Sequence, residues 1–161
     1  MSGHNINKLP TSIKVIYLLG VTLIELILVL AILSVIVAVA IPSYQDYIKQ
    51  SDIAIATADI KMIEQSIERF YLINDRYPLN ASELALPNDP WGNPYVFLNF
   101  DTIKGKGKQR KDKNLVPINT DYDLYSKGPD GRSVSPLTSK LSLDDIVRAN
   151  NGSFVGVAEN Y

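Results

Sequence analysis

Between Val15 and Ile41 the chain carries a single strongly polar side chain, Glu25, and no other feature constrains the fold as much. About 20 apolar residues suffice to cross a bilayer, because a helix satisfies its own backbone hydrogen bonds there. The run is therefore read as a membrane span, with Thr22 and Ser34 able to return their hydroxyls to the helix backbone. Lys8 and Lys14 precede it, and no basic residue follows until Lys49. By the positive-inside rule this places the N-terminus in the cytoplasm and the remainder in the periplasm or outside the cell. A cleavable secretory signal fits less well, since no small-x-small pattern follows a short apolar core and the run continues too long.

Composition narrows the function. A chain of 161 residues builds one compact domain, but its apolar residues crowd into the first third. A net charge of -1 gives no reason to expect nucleic acid as a partner. Cysteine is absent, which excludes a disulfide framework and a thiolate metal site. The lone histidine, His4, precedes the apolar run, and neither a phosphate-binding glycine loop nor a carboxylate pair in a recognisable cleft is present. The chain is read as not an enzyme.

A carboxylate inside a membrane span costs about 2.5–3.5 kcal/mol, so Glu25 needs a compensating partner. Gly20-Val21-Thr22-Leu23-Ile24-Glu25 resembles the cleavage box of type IV prepilins, although Val21 stands where that family usually has phenylalanine and Leu19 where a basic residue usually precedes the glycine. The resemblance implies that a prepilin peptidase cuts after Gly20, that the new N-terminus at Val21 is methylated, and that Glu25 becomes the fifth residue of the mature chain. It also implies the partner: the α-amino group of a neighbouring subunit, a cation in a low-dielectric setting.

Pro42 falls where this family commonly carries a helix-kinking proline, and proline removes an intrahelical hydrogen bond. Beyond it, Ala56, Ile60, Ile63, Ile67 and Phe70 form an apolar stripe at helical spacing, which predicts a helix from Thr22 to about Asn74. Asn74-Asp75-Arg76-Tyr77-Pro78 ends it. Asp89-Pro90-Trp91-Gly92-Asn93-Pro94-Tyr95 resembles the D-P-W-G-N-x-Y element of type II pseudopilins, which leads into a small antiparallel sheet; here Trp91 is read as packing. Tyr95 to Phe100 and Tyr122 to Ser126 read as strands. The cationic run of Lys104, Lys106, Lys108, Arg110, Lys111 and Lys113 between them reads as a solvated hairpin loop.

The last motif is Ser126-Lys127-Gly128-Pro129-Asp130-Gly131-Arg132 followed by Asp144-Asp145-Ile146. Three carboxylates, a hydroxyl and turn carbonyls are the hard oxygen donors calcium takes, but the spacing is not that of an EF-hand. The segment resembles the calcium loop of major pseudopilins. That resemblance implies side-chain ligands Asp130, Asp144 and Asp145, backbone oxygens of Lys127 and Arg132, and Ser126 in support. The stretch Ser133 to Leu143 is longer than the family usually shows, and residues Val147 to Tyr161 extend past its usual end. A plain Asp130-Gly131 turn, with Asp144 capping a short helix, is the competing reading.

These readings give an α+β architecture of one long N-terminal helix, a small antiparallel sheet and a C-terminal loop region. The divisions are a leader over 1–20, a membrane half over 21–41, a soluble half of the helix over 42–75 and a periplasmic region over 76–161. The implied role is a structural subunit of a type II secretion pseudopilus in the bacterial inner membrane. The implied partners are prepilin peptidase, copies of itself, other pseudopilins and an inner-membrane assembly platform. Two alternatives stand beside it: a type IV pilin or minor pilin of a surface filament, and a single-pass periplasmic sensor or binding protein that keeps its leader.

Overall fold

The computed structural model describes residues 20–161, so the leader, apart from Gly20, lies outside the described residues together with Lys8 and Lys14. The chain divides into two compact units, one ending at Pro42 and the other comprising Ser43–Tyr161. Helix α1, Leu23–Asn74, begins in the first and ends in the second. Its start is set by Thr22, whose Oγ1 accepts from the Glu25 amide at 3.3 Å while its carbonyl accepts from the Leu26 amide at 3.1 Å. This is half of a capping box, with Glu25 supplying negative charge in the first turn. Pro42 lies within the helix. At the far end the Asn74 side chain donates to the Phe70 carbonyl at 2.9 Å, and Asp75 takes a left-handed φ of 52° while its amide donates to the Tyr71 carbonyl at 2.8 Å. Asn and Asp tolerate these roles, so the helix stops without a glycine.

Four antiparallel strands follow in the order β1 (Val96–Asn99), β2 (Tyr122–Ser126), β3 (Ile146–Ala149) and β4 (Phe154–Val157). Val96 pairs with Tyr125, Tyr125 with Val147, and Val147 with Gly156. The first two strands are those read from the sequence. The other two occupy the residues read as a calcium loop, its extension and the C-terminal tail. Each is only four residues long, and Arg148 interrupts the apolar pattern of β3.

Successive strand residues point to opposite faces, and both faces are covered. Tyr122, Leu124 and Ile146 join Tyr95 and Phe97 against Ala56, Ile60, Ile63 and Ile67 of α1. The stripe expected on the helix is thus the core, except that Phe70 is only half-buried. Burying each such isoleucine contributes about 1.5–3 kcal/mol. On the other face Val147 and Ala149 pack with Ile118, Leu137 and Ala158, which belong to the long connections and the C-terminal segment. That second layer brings the loops against the sheet.

Candidate functional site

Two places carry the residues singled out above. The first is the start of α1. Gly20 lies just outside the helix, with open space around the position of a Cβ, and Val21 is exposed. Every residue from Gly20 to Gln50 is exposed. The described residues contain one helix long and apolar enough to cross a membrane. Cleavage after Gly20 would leave a free amine at Val21, one residue before the N-cap Thr22. The helix end and that amine are both positive, and Glu25 is the carboxylate in the first turn.

The second place is the C-terminal loop, and here the structure joins motifs that the sequence presents separately. Asp89 of the D-P-W-G-N turn is buried. Its Oδ1 accepts from the amides of Trp91 at 3.1 Å and Asn93 at 2.7 Å, and its Oδ2 accepts from Ser126 Oγ at 2.5 Å. Ser126 Oγ in turn accepts from the Gly128 amide at 3.0 Å, and Asn93 Nδ2 donates to the Gly128 carbonyl at 3.1 Å. The turn therefore clamps the segment that follows β2. Gly128 has φ +64°, and a Cβ there would stand 2.4 Å from the carbonyl oxygen of Asp144. Only glycine admits that approach.

The candidate ligands separate into two groups. Asp130 is exposed, its Oδ1 accepts from the Arg132 amide at 2.7 Å, and its own amide donates to Oδ2 of half-buried Asp144 at 3.4 Å. Lys127 is half-buried and Arg132 exposed. Asp145, the next residue along, is fully buried elsewhere. Its Oδ2 accepts from Arg110 Nη2 and, at 2.6 Å, from Ser133 Oγ. Arg110 also donates through Nη1 to Ser133 Oγ at 2.5 Å and to the Val134 carbonyl at 2.7 Å. Its guanidinium lies 4.3 Å from the centre of the Tyr125 ring. The Arg110 amide donates to Asp123 Oδ2 at 2.7 Å, and Asn119 Nδ2 donates to Asp123 Oδ1 at 3.0 Å. Burial pushes the Asp145 carboxyl up to about 6, against the pull of Ser133 and Arg110. It raises Asp123 as well.

For calcium, which takes six to eight oxygens, the fit is divided. The Asp130 amide reaches the Asp144 carboxylate, but Asp145 already holds a cation. Among the described residues no three His, Cys, Asp or Glu side chains gather around one point. Among the described residues, Asp145 Oδ1 has no partner, and neither has Nε of the arginine bound to its other oxygen. A divalent ion would meet the repulsion of the guanidinium. As arranged, the full set of six residues does not form a three-carboxylate site.

Sequence reading placed Arg110 among solvated cations and missed it here. The signal was its type: it is the lone arginine in a lysine run, and arginine's planar fork suits a buried carboxylate where lysine does not. Asp89 and Asn93 were visible in a motif but not as the clamp on Ser126 and Gly128.

No family model matches the chain, and neither does any solved structure. It is 30% identical over 136 residues to the type II secretion system core protein G of Pseudomonas aeruginosa, covering 70% of this chain and 84% of that protein. To the core protein G of Escherichia coli it is 27% identical over 135 residues, covering 70% and 82%. It is also 32% identical over 135 residues to the type IV major pilin protein PilE1 of Neisseria gonorrhoeae, covering 83% of this chain and 71% of the pilin. With an apolar helix that opens on Thr22 and Glu25 and a four-stranded antiparallel sheet among its described residues, and with these identities, the chain belongs to the type IV pilin-like family that includes the core protein G pseudopilins of type II secretion systems.

Proposed function

We propose that the chain is a structural subunit of a type II secretion pseudopilus, polymerising through the membrane half of α1. The observation that carries this reading is the exposed apolar run ahead of a packed domain, with Glu25 in its first turn. Such a surface needs lipid or other helices around it, and a head-to-tail contact between copies does not close on itself. Prepilin peptidase would release Val21, and the amine so formed would pair with Glu25 of a neighbouring copy. Before assembly the subunit would sit in the inner membrane with Ser43–Tyr161 in the periplasm, reaching the filament through an assembly platform and alongside other pseudopilins. Any calcium bound at the C-terminal loop would rest on Asp130 and Asp144 with backbone oxygens of Lys127 and Arg132, and Ser126 in support.

The absence of cysteine gives a direct test. A single cysteine introduced at Leu28 or Val35 should yield cross-linked dimers when the secretion machinery is present, and N-terminal sequencing should begin at Val21. A chain that stays monomeric and keeps its leader is a single-pass sensor or binding protein instead. Filaments on the cell surface without export of folded protein mark the type IV pilin alternative.

A further inference from the structure

The long stretch Ser133–Leu143 does not stand out from the domain. The Lys111 amide donates to the Ser135 carbonyl at 3.1 Å, and the Leu137 amide donates to the Lys111 carbonyl at 2.8 Å. Two residues beside this pairing, Ser133 and the Val134 carbonyl, take the guanidinium of Arg110. The pairing thus carries Arg110 out of the lysine run and under the sheet, where it meets Asp145 immediately before β3. Asp145 is also the anchor of the C-terminal segment: its carbonyl accepts from the Ala158 amide at 2.8 Å.

We infer that Arg110 is the resident cation of this loop, so that Asp145 is neutralised by a side chain of its own domain and the fold closes without a metal ion on that carboxylate. Three observations meet in this assignment. The guanidinium and the carboxylate are both buried. Among the described residues, the partners of Asp145 Oδ2 come from the two connections that pair with one another, through Arg110 and Ser133. The aromatic face of Tyr125 in β2 lies against the same guanidinium, which completes a site shaped for a planar, weakly hydrated cation and not for a small ion with its own water shell. Asp130 and Asp144 are left outside it. A metal there would be an addition to the fold, not the element that closes it.

The full-length mature chain in detergent micelles supplies the test, by thermal melting near pH 7 in chelator and in millimolar calcium. The unsubstituted protein is expected to fold in chelator, and any rise on adding calcium is expected to be the same in Asp145→Asn. Arg110→Met should melt several degrees lower in chelator, because Asp145 is then buried without its cation, and adding Asp145→Asn to that variant should recover part of the loss. Arg110→Lys, which keeps the charge but not the fork, should fall between the two and serves if Arg110→Met does not accumulate. A rise of several degrees in the unsubstituted protein on adding calcium, abolished by Asp145→Asn, would overturn the assignment. So would Arg110→Met and Arg110→Lys melting like the parent in chelator.

Discussion

Arg148 of β3 and Glu64 of α1 are joined by a 2.7 Å hydrogen bond from Nε to Oε1, linking the third strand to the helix within the core of the second unit. The same guanidinium grips both oxygens of Asp121, at 2.9 and 2.8 Å, and lies 4.1 Å from the centre of the Tyr122 ring. One buried arginine therefore ties together the helix, the entry to β2 and β3. The two carboxylates hold its proton so firmly that its pKa is raised despite burial. Replacing it with methionine fills the volume but strands Glu64 and Asp121. The expected loss is about 3–5 kcal/mol, read as a lowered thermal midpoint. An unchanged midpoint would mean that water reaches both carboxylates.

Ile60 is fully buried in the stripe against the sheet. Ile60→Ala should cost about 2–5 kcal/mol through lost burial and the cavity left behind. Denaturant unfolding measures it, with the slope unchanged and the midpoint lowered.

Gly20→Phe should block maturation, because the residue at the cut must offer little bulk to the peptidase. Precursor and mature bands on a gel decide this, and mature protein in normal amount would remove Gly20 from the processing site.

Glu25→Ala should leave membrane insertion intact, since it removes a group that costs about 2.5–3.5 kcal/mol in the span, yet assembly should fail for want of a partner to the Val21 amine. Membrane fractionation and cross-linking separate the two effects. Normal cross-linked dimers in that variant would end the pairing hypothesis.

Asp145 gives a pH dependence of definite sign. Its carboxyl moves from an ordinary 3.8 to about 6 on folding, so between those values the native state binds more protons than the unfolded one. Its contribution to stability therefore falls as pH rises from about 4 to about 6 and is level above, a change of roughly 3 kcal/mol at most. Other carboxylates add their own slopes. The measurement is thus the difference in melting temperature between the parent and Asp145→Asn at pH 4, 5, 6 and 7, which should drift against the parent across the first three points.

The helix was legible to within a residue because its signals are local. The apolar run opens it, the isoleucines recur on one face, and Asn74-Asp75 stop it. Strands β1 and β2 were legible from their aromatics. β3 and β4 were not, because Arg148 stands where alternation calls for an apolar side chain, and the residue that accepts it, Glu64, lies 84 positions earlier. The same limit applied to the C-terminal loop. Carboxylates close together in sequence suggest one site, but successive residues such as Asp144 and Asp145 project in different directions as the chain enters a strand. Which of them meets a cation is settled by a connection 35 positions away that brings Arg110. Local patterns named the donors, and long-range pairing divided them.

The uninterrupted exposure of side chains from Gly20 to Gln50 bears on the direction in which such a subunit moves. Lipid tails are as apolar as the leucines and isoleucines they surround, so passing from bilayer to a bundle of like helices exchanges one oily solvent for another and releases little hydrophobic free energy. Polymerisation of such a helix is close to isoenergetic over most of its length. A few polar contacts and close-packed small residues then set the balance, and an outside source of work can drive it either way. For a subunit that assembles as proposed, the bilayer would act as a reservoir from which it is drawn without unfolding.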